Sequence, residues 1–402
     1  MKEVQPKELR GLVDAVKYGR ISRRQFLYRA LAMGLSVPAA GTILAACGSS
    51  GSTSGGASAT PAAMDTTKPS KLYLYNWSDY IAPATMKNFK KQTGITIVQS
   101  YFDDNEALLA KLKAGAVGYD VIVPSDYMVH IMWMSGLLEP LDMKYIPNFV
   151  NVMPKFQHPS FDPGKGTPDS PKYSVPWQWG TTGVGYRKDK VNPAPTKWAD
   201  VFPPQGNPWK GQIDMLNDER ETPGAALKML GYSLNSTDQG QLNQATQALI
   251  QQKPLVRQYD SINMKRNLIA GVPLVHTWNG DVLLAMDAAG ENKVGYTLPE
   301  EGYTVWVDNL CIPKGANSPY GAHLFMNFVL DPMNAAELVD YIWYLSPVAG
   351  VSELLPKIDK ASGQFLVDHI PSDAELQRGE IINDVGAFAR NYTEAWSTVK
   401  SS

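Results

Sequence analysis

Residues 71 to 402 predict an α/β fold with room for two lobes. Short strand-like apolar runs alternate with helical patterns from Lys71 onward. Roughly 330 residues remain once the N-terminal segment is set aside, enough for two separate cores. Midway, the Gly- and Thr-rich strand from Trp177 to Tyr186 breaks the alternation, as a crossing between lobes would.

Leu72 to Tyr75 alternates as a strand, and Pro83 opens a helix that Gly94 closes. Ile95 to Val98 is the next strand. Asn105 precedes Glu106-Ala107-Leu108-Leu109-Ala110-Lys111-Leu112, a helix with Leu108 and Leu112 on one face and Gly115 as its stop. Asp120 to Pro124 reads as a buried strand, with Ser125 capping the helix after it. Trp198 begins a short helix, and Thr222-Pro223-Gly224 opens a longer one after the acidic turn Asn217 to Glu221. Ligands of open parallel sheets bind beyond the carboxyl ends of strands. The loops Trp77 to Tyr80 and Ser125 to Tyr127 are therefore predicted to face a common space.

Tyr75-Asn76-Trp77-Ser78-Asp79-Tyr80 sets aromatic rings beside a carboxylate. The rings read as core packing, or as a site for an organic cation, where an anion offsets desolvation and each ring face adds about 0.5–2 kcal/mol. The theme recurs. Asp218 and Glu221, three apart, share a face if a helical turn forms, and also suit a helix start. Trp278-Asn279-Gly280-Asp281 follows the strand Leu274-Val275, and Asp281 reads as a ligand group or an N-cap. In Val305-Trp306-Val307-Asp308, alternation sends Trp306 and Asp308 to one face; an Asp in an apolar strand costs several kcal/mol unless paired, which points to function.

Paired carboxylates also serve glycoside hydrolysis, so a secreted hydrolase is a further alternative. No Gly-x-Ser-x-Gly elbow, phosphate-cradling glycine loop or metal-ligand spacing among His130, His158, His276, His323 and His369 accompanies them. A binding protein without enzymatic activity, cofactor or metal is expected.

The N-terminus carries two export signals. Ser22-Arg23-Arg24-Gln25-Phe26-Leu27 looks like a twin-arginine motif, and the apolar stretch Ala30 to Ala46 is short and broken by Gly34, Pro38 and Gly41. Leu44-Ala45-Ala46-Cys47 resembles a lipobox, so residues 1–46 are expected to be a cleaved signal peptide and Cys47 the lipidated residue. A retained transmembrane anchor or buried helix is the other reading. Residues 47–70, rich in Gly, Ser, Thr, Ala and Pro, read as a tether with a reach of about 25–30 Å. Beyond residue 46 there remain 29 Lys and Arg against 36 Asp and Glu, a balance of −7 that argues against a nucleic-acid partner and favours a cationic one. Cys311, in Leu310-Cys311-Ile312, is left without a disulfide partner and reads as a small core residue.

Six segments, taken in order, resemble the polyamine-binding proteins of ATP-driven import systems: Tyr75 to Ile81, Val123-Pro124-Ser125, Thr181 to Tyr186, Leu230-Gly231-Tyr232-Ser233, Trp278-Asn279-Gly280 and Asn383-Asp384-Val385-Gly386. The resemblance covers about Leu72 to the C-terminus. It implies a two-lobed, periplasmic-binding-protein type II-like α/β fold with hinge crossovers, lobes of 71–178 plus 309–349 and 179–308 plus 350–402, closing around the ligand. It further implies that Trp77 and Tyr80 line one wall, that Ser78 and Asp79 bind a terminal ammonium, and that Ser125 and Tyr127 belong to the loop after the buried strand. Asp218 and Glu221 fall on the second lobe's acidic turn, Trp278, Trp306 and Asp308 on positions that hold the methylene chain and an amine, and Tyr344 adds a ring. Ile382 stands where the spermidine-type pattern has a glutamine, and Asp281 matches the acid of a putrescine-type Trp-x-Gly-Asp motif. Trp306 with Asp218 and Glu221 fits the spermidine type. The expectation is a monomeric, membrane-anchored, periplasmic or cell-surface lipoprotein that binds spermidine or putrescine and delivers it to an ABC transporter permease. A quaternary-ammonium ligand such as betaine or choline is the alternative cargo.

Overall fold

Lys71–Asn76 (β1) lies between Thr96–Tyr101 (β2) and Val121–Ile122 (β3) in a parallel three-stranded sheet. A second sheet of seven strands contains Val175–Arg187 (β4), Ile213–Met215 (β5), Val256–Tyr259 (β6), Leu274–Trp278 (β7), Val294–Thr297 (β8), Tyr303–Leu310 (β9) and Gly379–Glu380 (β10). Its order is β10-β9-β4-β7-β5-β6, with β8 also paired to β4. The structure is a computed structural model and describes residues 64–167, 169–202 and 209–402. The twin-arginine motif, Cys47 and the tether up to residue 63 lie outside the described residues.

β4 organises the second sheet. All 13 of its residues are buried, its first half pairs antiparallel with β9, and its second half pairs with β7 and β8. The chain beyond β9 is stitched to the first sheet: Ile122 and Cys311 exchange backbone hydrogen bonds of 3.0 Å, and the Asn309 N–H donates to Pro124 O at 2.9 Å. The two sheets are thereby joined through the end of β9, while β4, which includes the expected crossing segment Trp177 to Tyr186, pairs with β9, β7 and β8 of the second sheet. Cys311 is fully buried, as a core residue.

The cores follow the apolar patterns. Beside the first sheet, Phe89 stands edge-on to Phe325 and Phe328, each at 5.4 Å, next to buried Leu72 and Leu74. Beside the second, Trp198, Met215, Val184 and Tyr303 form one cluster, and Tyr392 and Trp396 of the C-terminal helix pack with Leu242 and Leu249 in another. The helices Val351–Ile358 and Lys360–Asp368 pack back toward Pro332–Ile342, where Ser362 hydrogen-bonds Asp340.

Three local expectations need correction. Gly94, at φ 82°, closes the helix Pro83–Thr93 as expected, but the helix Asn105–Lys113 takes its cap from the Asp104 carboxylate, which accepts the Ala107 N–H. Asn105 is inside the helix, with its amide turned to Ser125. Ser125 occupies the N-cap position of Asp126–Met134 yet makes no capping bond, because its hydroxyl has a charged partner elsewhere. Asp281 is not an N-cap either: Trp278 holds that position, and Asp281 sits in the helix's first turn.

Gly183 of β4 leaves no space for a side chain, since a Cβ there would lie 2.5 Å from the Thr297 carbonyl oxygen of β8. Gly183→Ala is expected to destabilise the protein by about 1–3 kcal/mol through overpacking against backbone, read as a lower urea midpoint at unchanged slope.

Candidate functional site

Where β4 pairs with β9, Gln178 faces Asp308 and Gly180 faces Trp306; further along, Thr182 faces Trp278 of β7. Opposed residues of antiparallel strands share a face, as do residues two apart on one strand. Gln178, Gly180, Thr182, Trp278, Trp306 and Asp308 therefore look out from one side of the sheet. Gly180 permits this arrangement, because a Cβ there would stand 2.4 Å from the Trp306 ring. Gly280 does the same for Tyr344, whose ring would meet a Cβ at 2.5 Å.

An aromatic wall closes over this face. Tyr344 is edge-on to Trp306 at 5.3 Å and to Tyr80 at 5.5 Å, and Tyr80 is edge-on to Trp177 at 5.6 Å. At its foot is Asp308, only 6% exposed. One carboxylate oxygen accepts the Tyr80 hydroxyl at 2.6 Å and the other accepts the Ser125 hydroxyl at 2.6 Å. Asn105 fixes Ser125 from behind, donating to its Oγ and accepting its N–H, both at 3.1 Å. Burial pushes Asp308 up to about 6, while the two hydroxyl donors hold it down.

Further acids approach from other elements. Glu221, buried at the start of the helix Glu221–Met229, accepts the Thr182 hydroxyl at 2.8 Å on one oxygen. Burial, then the nearby Asp218, pushes it up to about 7. Asp218 is half-buried and accepts the N–H groups of Arg220 and Glu221, each at 2.8 Å, just ahead of the helix, whose N-cap position Arg220 holds. Burial also raises Asp218 itself. Asp281 is pushed up to about 6 by burial, with Asp79 adding to the effect and Lys265 opposing it.

Tyr127 donates to Glu106 at 2.9 Å, and the Arg220 guanidinium lies 5.6 Å from the Tyr127 ring. Burial, followed by Asp218 and Glu219, pushes Glu106 up to about 8. No ion pair among the described residues involves Asp308, Glu221, Asp281 or Glu106. Desolvated carboxylates without a counter-charge form a ready receptor for a cation with N–H donors. Among the described residues, no group of three or more His, Cys, Asp or Glu side chains could hold a metal ion.

The structure thus gathers Tyr80, Ser125, Trp278, Trp306, Asp308, Tyr344 and Glu221 along one face, with Asp281 beside Tyr344 and Asp218 behind Glu221. Tyr127 is buried and turned to Glu106. Trp77 is half-buried, its indole N–H donating to Val123 O at 3.0 Å and its ring packed on Phe102 at 4.4 Å, so core packing and cleft lining both describe it. Ser78 and Asp79 are exposed, and Asp79 adopts φ 54°. Sequence reasoning missed Glu106, Asn105, Trp177, Thr182 and Gln178. For Gln178 the signal was available: a polar residue in an apolar strand, the argument applied to Asp308.

Residues 84–364 match the sequence model of the family described as bacterial extracellular solute-binding protein. Over 334 residues the chain is 34% identical to the spermidine/putrescine-binding periplasmic protein of Escherichia coli (strain K12), covering 82% of this chain and 91% of that one. The substrate-binding protein of a spermidine/putrescine ABC transporter from Streptococcus pneumoniae superposes with a TM-score of 0.68 at 33% identity, over 83% of this chain and 99% of that one. A lipoprotein of Treponema pallidum gives a TM-score of 0.70 at 29% identity, over 82% and 99%. The architecture is the two-lobed type II binding-protein fold. By its sequence and its fold, the chain belongs to the bacterial extracellular solute-binding protein family.

Proposed function

We propose that this protein binds a polyamine of the spermidine and putrescine class around Asp308 and delivers it to an ABC importer. The supporting observation is the set of desolvated carboxylates Asp308, Glu221, Asp281 and Glu106, none of them in an ion pair among the described residues, beside the ring wall Trp177, Tyr80, Tyr344 and Trp306. A chain of methylene groups ending in ammonium groups complements it: rings pack on the methylenes, and each carboxylate accepts charge-assisted hydrogen bonds of roughly 1.5–3 kcal/mol. Asp308 takes one ammonium, with Tyr80 and Ser125 fixing its oxygens; Glu221 and Asp281 are placed to take others. Trp77, Ser78, Asp79, Tyr127 and Trp278 extend the lining, and Asp218 raises the negative field. A quaternary ammonium has no N–H for this many acceptors.

Closure follows from the fold. In this proposal β4 and β9 cross between the lobes, and a hinge there closes the lobes over a site in which the Tyr80 and Ser125 hydroxyls already hold Asp308, and expels water. In the same proposal the closed protein presents a joint surface from both lobes to the permease and acts as a monomer without catalysing turnover. Cys47 carries a lipid anchor that keeps the protein at the membrane surface, a reading supported by the lipobox-like sequence and by the T. pallidum relative's description as a lipoprotein.

Two outcomes test the proposal. Asp308→Asn preserves shape and removes the charge; by calorimetric titration of ligand-free protein it is expected to weaken spermidine and putrescine binding by at least about thirty-fold, with no loss of thermal stability. The pH dependence has a definite sign. Carboxyls raised to about 6–8 in the folded state bind more protons than in the unfolded chain, so their stabilising contribution is complete below about pH 4 and lost as pH rises through 6–8. Ligand-free protein is expected to melt lower at pH 8 than at pH 5.5, and polyamine to remove that decline.

A further inference from the structure

We propose that Gln178 is a ligand-binding residue whose side-chain carbonyl accepts an N–H from the same ammonium that pairs with Asp308, so that this end of the site selects amines bearing at least two N–H bonds. The inference rests on the polyamine reading and adds to it a residue that selects the chemistry of the amine.

The ladder between β4 and β9 is regular from Gln178 to Thr181, after an irregularity between Pro176 and Gln178, and it sets Gln178 directly opposite Asp308. Side chains so opposed stand with Cβ atoms about 4.5–5.5 Å apart on one face. Gln178 is 1% exposed, and its Oε1 is buried with no hydrogen-bond partner among the described residues. Such an oxygen is costly unless a donor reaches it. Asp308 supplies none: its two oxygens are acceptors, each already taking a hydroxyl hydrogen from Tyr80 or Ser125. The neighbouring Trp179 indole is committed to Ser346 O at 3.0 Å. The register places Gln178 and Asp308 on one face, where a donor with two hydrogens could bridge the amide oxygen and the carboxylate. A primary ammonium or a secondary ammonium has those hydrogens; a quaternary ammonium has none. Glu221, a second carboxylate, accepts the Thr182 hydroxyl further along the same face, beyond Gly180. Acceptors are thus spaced along one sheet face, as a ligand with nitrogens at intervals requires.

The test uses ligand-free wild-type protein and two variants, Gln178→Met and Gln178→Glu, titrated with putrescine and with spermidine and melted without ligand. Gln178→Met keeps length and removes the acceptor. It is expected to weaken binding of both amines about ten-fold or more, with ligand-free melting unchanged or raised because a buried unsatisfied group has gone. Gln178→Glu keeps an acceptor oxygen in place and is expected to retain binding. Unaltered affinity in Gln178→Met together with lower melting would overturn the assignment, by showing an amide that only braces the sheet. Loss of binding in Gln178→Glu equal to that in Gln178→Met would also overturn it. A wild-type protein that binds neither amine would overturn the polyamine reading first, and this assignment with it.

Discussion

A carboxylate taken out of water and left without a counter-charge is the constraint on which this site depends. Asp308 sits in β9, 6% exposed, and receives two hydroxyl hydrogen bonds. Lifting it from 3.8 to about 6 amounts to roughly 3 kcal/mol of unmet charge. Glu221, Asp281 and Glu106 are displaced in the same direction. Burying several such groups together makes little sense for stability alone. It makes sense for a receptor whose missing charge arrives with the ligand.

The fold explains why the charges stay where they are. β4 offers Gly180 under Trp306, and Gly280 admits the Tyr344 ring, so two glycines without Cβ atoms set the height of the aromatic wall. Asn105, in the first turn of its helix, holds Ser125, which in turn holds Asp308. The site is therefore built from the loop after β1, the helix after β2, the loop after β3, and strands β4, β7 and β9. These elements are far apart in sequence.

How much of this was legible depended on the range of each interaction. The period-two alternation of Val305 to Asp308 is local and strict, so Trp306 and Asp308 on one face could be read directly. The rings and acids at Trp77 to Tyr80, Trp278 and Asp281 were visible as composition, but which of them face inward was not: Ser78 and Asp79 remain exposed, and Trp77 is half-buried against Phe102. Ser125 read as a helix cap because capping is a local preference, whereas its true partner lies 183 residues away. Glu106 carried no site signal in its helical run, since Tyr127 and Asp218 reach it only through tertiary structure. The exchange of backbone hydrogen bonds between Ile122 and Cys311 that unites the sheets left no mark in the sequence beyond two apolar runs.

The most direct test of a charge-deficient site is its proton balance on binding. Polyamine nitrogens, with an ordinary amine pKa near that of lysine at about 10.4, remain protonated at neutral pH, so any proton released comes from the protein. Calorimetric titration with spermidine at pH 6.5, repeated in buffers of different ionisation enthalpy, counts those protons. The account predicts a net release on the order of one proton or more per ligand, as the raised carboxyls ionise against the incoming ammonium groups. A binding heat independent of the buffer, or a net uptake of protons, would contradict it.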